Sequence, residues 1–294
     1  MGSALTTIGL PVALGIIMLG LGLSLTLADF ARVLKQPKAV IVALLCQLIL
    51  LPAICFGLVL AFQLPPVLAV GMMMLAASPG GTTANLYSHL FRGDIALNIS
   101  LTAVNSVIAV ITLPVITNFA IWYFRPFDDQ LGLQWAKALE VFAIVLLPVA
   151  LGMLIRRFWP AFARGMDKPV RIASVIILIV VIAGAVASNW KLLTDNFAQL
   201  ALITILFCVI SLAIGYAVPR MLKIGRRQAI ASSFEIGIHN ATLAIVIAQS
   251  VLGSMELSLP AAVYGVLMFF IAFGFGFLIR GKERVPDVTA EVAS

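Results

Sequence analysis

The chain has 294 residues, 62% of them hydrophobic and 11% charged, with a mean hydropathy of +1.14. This excludes a water-soluble globular core and marks an all-α polytopic membrane protein. The net charge of +7 does not indicate nucleic acid, because it follows membrane sidedness, and the three cysteines (Cys46, Cys55, Cys208) lie in hydrophobic runs at spacings that suggest neither metal nor disulfides.

Nine hydrophobic runs are predicted, at about 7–28, 39–62, 66–91, 95–124, 138–155, 172–190, 196–219, 228–255 and 257–279. Assigning the connections alternately to two sides puts 16 of the 19 Lys and Arg on one side, leaving only Arg125, Lys137 and Lys191 on the other. The positive-inside rule makes the first side cytoplasmic, so the N-terminus is expected outside and the C-terminus inside.

The first run has no cationic leader or cleavage pattern and is expected to be retained, ending at Asp29 and the basic stretch ARVLKQPK. The second holds Gln47, which needs hydrogen-bond partners at membrane depth, and Pro52, expected to kink the helix. In the third, Met72-Met73-Met74 reads as packing, and Ser78-Pro79-Gly80-Gly81 is expected to break the helix. Thr82, Thr83 and Asn85 follow immediately, able to coordinate a small cation or to cap a second half-helix whose N-terminus attracts an anion. The bland alternative is a Pro-kinked helix capped by its own threonine.

His89 is expected to be interfacial and without a role. In the fourth run Asn98, Thr102, Asn105 and Ser106 form one helical stripe, either glue between helices or part of an oxygen cage. Asp128-Asp129 reads as solvated, Glu140 as paired with Lys137, and the basic loop 156–171 as lying on anionic headgroups. The sixth and seventh runs look like scaffold; in the ninth, Gly265, Gly274 and Gly276 suit close helix approach.

The eighth run, AIASSFEIGIHNATLAIVIAQS, carries Glu235, Gly237, His239 and Asn240 in its middle. An ionised carboxylate at a membrane helix centre costs roughly 2.5–3.5 kcal/mol, and a cation is its simplest partner. Polar groups of a neighbouring helix are the alternative. The third and eighth runs, both interrupted and five spans apart, traverse the membrane in opposite directions. Such a pair is the best sequence pointer to a transporter binding site. Carboxylate, carbonyl, hydroxyl and amide oxygens suit a hard cation.

These motifs, PGGTTANLYSHLFRGDIALNISLT followed by FEIGIHNATLA, resemble the bile acid:sodium symporter family across essentially the whole chain. The resemblance implies an inverted repeat lacking its first helix, so nine spans: four in 1–124, five in 132–281, and a cytoplasmic tail at 282–294. It implies a panel of the first, fifth and sixth spans against a six-helix core containing the crossed, broken helices. One sodium site is implied at Asn85, Asn98, Thr102 and Glu235, with a further position at Ala84. A second is implied at Gln47, Glu235, the backbone of Ile236 and Ile238, and His239. A small organic anion such as pantoate, ketopantoate or pyruvate is implied near Thr82, Thr83 and Asn240.

Three departures from the family pattern stand out. Ala84 lacks a hydroxyl that Asn98 would replace. His239, a poor sodium ligand, stands where Gln is usual. Met268-Phe269 replace a polar pair found in some relatives. Sodium symport in a bacterial inner membrane, by a monomer without cofactor, is therefore expected. Proton-coupled or uncoupled transport is the alternative. A membrane enzyme has less support, because Glu235 and His239 come without a second ligand cluster. A channel is a further alternative.

Overall fold

The computed structural model describes residues 10–125 and 135–280, and among these no β-strand occurs. The expectations for the N-terminus, Asp128-Asp129, the side chains of Lys137 and Glu140, and the tail at 282–294 lie outside the described residues. The elements, in order, are α1 Leu10–Ser24, α2 Leu27–Arg32, α3 Pro37–Ala61, α4 Pro66–Ala77, α5 Thr83–Leu90 and α6 Ile95–Phe124. They continue with α7 Trp135–Phe158, α8 Pro160–Ser188, α9 Trp190–Met221, α10 Arg226–Gly237, α11 Ala241–Val251 and α12 Glu256–Ile279.

Among the described residues four helices (α3, α6, α9 and α12) are long and apolar enough to cross a bilayer, and the bent α1–α2 pair makes a fifth. The chain is an all-α, multi-pass membrane protein.

Local chemistry explains where the helices deviate from the predicted runs. The first run is not continuous to residue 28: the chain bends by 65° between Ser24 and Leu27. Asp29, read as part of a cytoplasmic stop, is instead buried; it accepts from Thr26 N at 2.8 Å and Thr26 Oγ1 at 2.7 Å, and pairs with Arg32 at 3.1 Å. This capping box starts α2. The helix that contains Pro52 carries a π-helical turn at Cys46–Leu50 immediately before it, an irregularity that can accommodate the proline's missing N–H. That turn carries Gln47. The basic stretch 156–171 is the end of α7 and the start of α8, turned at Trp159, and not a loop.

Helix packing falls into two groups. α1, α7 and α8 pack on one another, and the other long helices pack around α9, α10 and α6. Glycine lets the first group close up: a Cβ on Gly22 would lie 2.2 Å from the Val149 carbonyl oxygen, and one on Gly152 2.5 Å from that of Leu19. In the second group Gly215 meets the backbone of Ser232 and Ser233, and Gly276 seats the Phe91 ring. Of the three glycines singled out in the ninth run, Gly265 and Gly276 touch neighbours, whereas among the described residues nothing lies within 4 Å of a Cβ on Gly274. Met72, Met73 and Met74 are buried in the core. The scaffold reading understates α9, whose Leu212 carbonyl accepts from Ser233 Oγ of α10 at 2.7 Å.

Candidate functional site

Both expected interruptions are present, and they meet. α4 stops at Ala77 and α5 starts at Thr83; α10 stops at Gly237 and α11 starts at Ala241. Between them Gly80 and His239 form an isolated antiparallel bridge, with Gly81 N donating to Ile238 O at 2.7 Å and Asn240 N to Pro79 O at 2.8 Å. The breaks therefore satisfy each other's backbone. Tyr264 Oη donates to Gly237 O at 2.9 Å, closing the end of α10. Ser78 O is the acceptor for two side chains, Gln47 Nε2 at 3.1 Å and His239 Nδ1 at 3.2 Å. Irregular backbone inside a membrane protein persists only where its polar groups are satisfied in this way.

Glu235, on the last full turn of α10, is 2% exposed. Its Oε2 accepts from Thr102 Oγ1 of α6 at 2.5 Å. The carboxylate lies directly on Gly80, where a Cβ would be 2.2 Å from Oε1 and 2.3 Å from Cδ. That glycine is required for the close approach of the acid to the opposite break. Thr102 Oγ1 also lies 3.1 Å from Asn98 O, so the two acceptors share its one proton, and Asn98 Nδ2 donates to Ala84 O at 3.1 Å and to Ser88 Oγ at 2.5 Å. Asn98 thus joins α6 to α5 through its amide nitrogen and keeps its oxygen in reserve, so the stripe acts as glue and presents oxygens too.

The pattern of unsatisfied atoms is informative. Gln47 Oε1, Asn85 Oδ1, Asn98 Oδ1 and Glu235 Oε1 are buried with no hydrogen-bond partner among the described residues. Each is an acceptor, and a buried polar atom left unpaired costs about 1–3 kcal/mol. Together they leave buried oxygen acceptors on α3, α5, α6 and α10 without a donor. Carboxylate, amide and hydroxyl oxygens of this kind are the donor types a hard cation prefers.

His239 is 1% exposed, stacked on Phe207 at 5.6 Å and edge-on to Tyr264 at 5.4 Å. Because Ser78 O can only accept, Nδ1 carries the proton, leaving Nε2 of the neutral ring as a lone-pair nitrogen without a partner.

A cleft of about 400 Å³ opens beside the crossing. Thr82, Thr83, Asn85 and His89 of the first break and α5 line it, with His239, Asn240 and Thr242 of the second. α1, α8 and α12 supply the facing wall, including Met18, Val170, Met268 and Phe269. Asn240 caps α11, its Oδ1 accepting from Leu243 N at 3.0 Å. Thr82 stands at the start of α5 with no side-chain cap, so its hydroxyl is not spent on its own helix, contrary to the self-capped kink.

Residues 11–196 match the sodium bile acid symporter family. The chain belongs to this family. It is 27% identical over 257 residues to the probable sodium/metabolite cotransporter BASS2, chloroplastic, of Oryza sativa subsp. japonica, covering 87% of the chain and 60% of that protein. It is 26% identical over 261 residues to the sodium-dependent transporter YocS of Bacillus subtilis (strain 168), covering 87% and 78%. It is 26% identical over 272 residues to the sodium-dependent organic anion transporter of Homo sapiens, covering 92% and 70%. The chain thus spans less than two thirds of the rice protein's length.

In this symporter-family chain the residues singled out from sequence fall into three places. Asn98, Thr102 and Glu235 are linked directly through hydrogen bonds, with Asn85 one turn of α5 away from the break. Gln47 and His239 share the Ser78 carbonyl, flanked by the buried backbone of Ile236 and Ile238. Thr82, Thr83 and Asn240 line the cleft. Ser78 as a carbonyl hub, Gly80 as the seat of the acid, and Phe207 and Tyr264 around His239 were not foreseen. His89, read as interfacial and without a role, lines the cleft. Of these, Ser78 and Gly80 are legible in the sequence only as members of the Ser78-Pro79-Gly80-Gly81 break.

Proposed function

We propose that the chain is a sodium-coupled symporter of a small organic anion, working by alternating access in a bacterial inner membrane. The observation that carries this reading is the crossing itself: two broken helices joined back to back, with a single buried carboxylate and a surplus of unpaired oxygens at the joint. One sodium ion would be held by Asn85, Asn98, Thr102 and Glu235. A second would be held by Gln47, Glu235, His239 and the carbonyls of Ile236 and Ile238. The anion would bind in the cleft at Thr82, Thr83 and Asn240, beside the N-termini of α5 and α11 with their positive dipole ends.

Counting each interrupted pair as one span gives nine, four in 1–124 and five in 132–281. The group α1, α7 and α8 would be the panel that rocks against a six-span core. The cleft supports this division, because α1 and α8 wall one side and the crossing the other. The charge distribution supports an external N-terminus and cytoplasmic C-terminus. A monomer is sufficient, since cation and anion sites are built from one chain.

The test is thermal unfolding of purified protein in sodium against potassium chloride at equal ionic strength. An ion that binds only the folded state raises stability by mass action. A sodium-specific rise is expected in the wild type and its loss in Glu235→Gln; a variant that keeps the rise removes the reading. Proton coupling is the second reading, favoured by the ring of His239 at the crossing. It requires no sodium-specific rise and uptake driven by a pH gradient.

A further inference from the structure

One buried carboxamide beside the cation ligands takes no part in the arrangement described so far. Asn105 is 1% exposed, and neither its Oδ1 nor its Nδ2 has a hydrogen-bond partner among the described residues. It stands three residues beyond Thr102 on α6, the same helix face one turn along, where α6 packs on α10. Both ends of an amide unpaired in a dry interior are costly, and an apolar side chain of the same size would pack there at less cost.

The Asn105 carboxamide faces the Glu235 carboxylate. Glu235 Oε1, like both polar atoms of Asn105, is buried without a hydrogen-bond partner among the described residues.

We propose that Asn105 is a further ligand of the cation held at Glu235, its Oδ1 extending the oxygen set of Asn85, Asn98 and Thr102 along α6. The carboxamide can present its Oδ1, an acceptor with two lone pairs, to the ion. This rests on the cation-site reading above. It adds a third side-chain position on α6 to the site, after Asn98 and Thr102, and makes the site dominated by carboxamides.

The test is a sodium titration of the unfolding temperature of the full chain, potassium replacing sodium at constant ionic strength. Asn105→Leu removes both polar atoms at nearly constant volume, and Asn105→Ser keeps an oxygen. Wild type is expected to show a saturable, sodium-specific rise. Asn105→Leu is expected to unfold in potassium no lower than wild type, with its sodium midpoint displaced at least tenfold to higher concentration; Asn105→Ser is expected to fall between. A wild-type midpoint in Asn105→Leu overturns the assignment and leaves the Glu235 site standing. No sodium-specific rise in the wild type overturns both. Should Asn105→Leu not fold, Asn105→Ala decides by the same midpoint. A role confined to packing, or to donating to Glu235, would change the unfolding temperature in potassium and leave the midpoint where it is.

Discussion

Gly80→Ala is the most demanding test of the crossing. The added methyl would be built 2.2 Å from Glu235 Oε1, 2.3 Å from Cδ and 2.6 Å from Oε2, against an ordinary contact near 3.4 Å. Relief requires a displacement of roughly 1 Å, since the repulsive wall is steep at that distance. Two routes exist. The carboxylate swings away and loses its 2.5 Å bond from Thr102, or the Gly80–His239 bridge opens and releases the two backbone bonds beside it. Overpacking of this kind costs about 1–3 kcal/mol, and a misplacement of about 1 Å at a functional group costs up to about 100-fold. For an ion present at about 100 times its Kd, the stabilisation from binding is about 2.7 kcal/mol; a 100-fold weaker site leaves about 0.4 kcal/mol. Sodium titration of the unfolding temperature reads this directly. A Gly80→Ala protein that matches wild type in both sodium midpoint and potassium baseline would refute the placement of Glu235 against the opposite break.

Three further substitutions probe separate parts of the structure. Thr102→Val removes the hydroxyl bonded to Glu235 Oε2; hydrogen bonds to charged groups contribute about 1.5–3 kcal/mol, so the sodium midpoint should rise by about tenfold or more, read by the same titration. His239→Gln replaces the imidazole with a carboxamide that offers an oxygen and still has an N–H for Ser78 O; on the proposed second sodium site, sodium dependence of uptake should strengthen. An unchanged sodium titration would show that His239 does not tune the second site. Gly152→Ala drives a methyl to 2.5 Å from Leu19 O and 2.7 Å from Leu23 N at the α1–α7 contact. It should lower the unfolding temperature by an amount equivalent to about 1–3 kcal/mol while leaving the sodium midpoint unchanged.

Much of this was legible in the residues. An acid in an apolar run, a Pro-Gly-Gly interruption in another, and hydroxyl and amide groups beside each can only be explained by a partner, because hydrocarbon offers none. The residue stripe on α6 was legible for the same reason: Asn98 and Thr102 share a face at helical spacing, and a polar face in a membrane must point at protein or cavity. The bend after Ser24 was not legible, since Asp29 next to Arg32 looks like the end of a span, and only folding turns it back to cap Thr26. The π-helical turn before Pro52 was equally hidden, because hydropathy is blind to which hydrogen bond a helix skips.

The sequence by itself determined the class, the number of apolar runs and the two interruptions, because solvation cost is a property of residues one at a time or of near neighbours. Only the tertiary structure decided that Gly80 would be the seat of Glu235, that Ser78 O would serve Gln47 and His239 together, and that His89 would line the cleft with Thr82 and Asn240. Those pairings join groups as many as 161 residues apart. They exist because two incomplete helix ends satisfy each other's backbone, and a single chain segment carries no record of which other segment will do so.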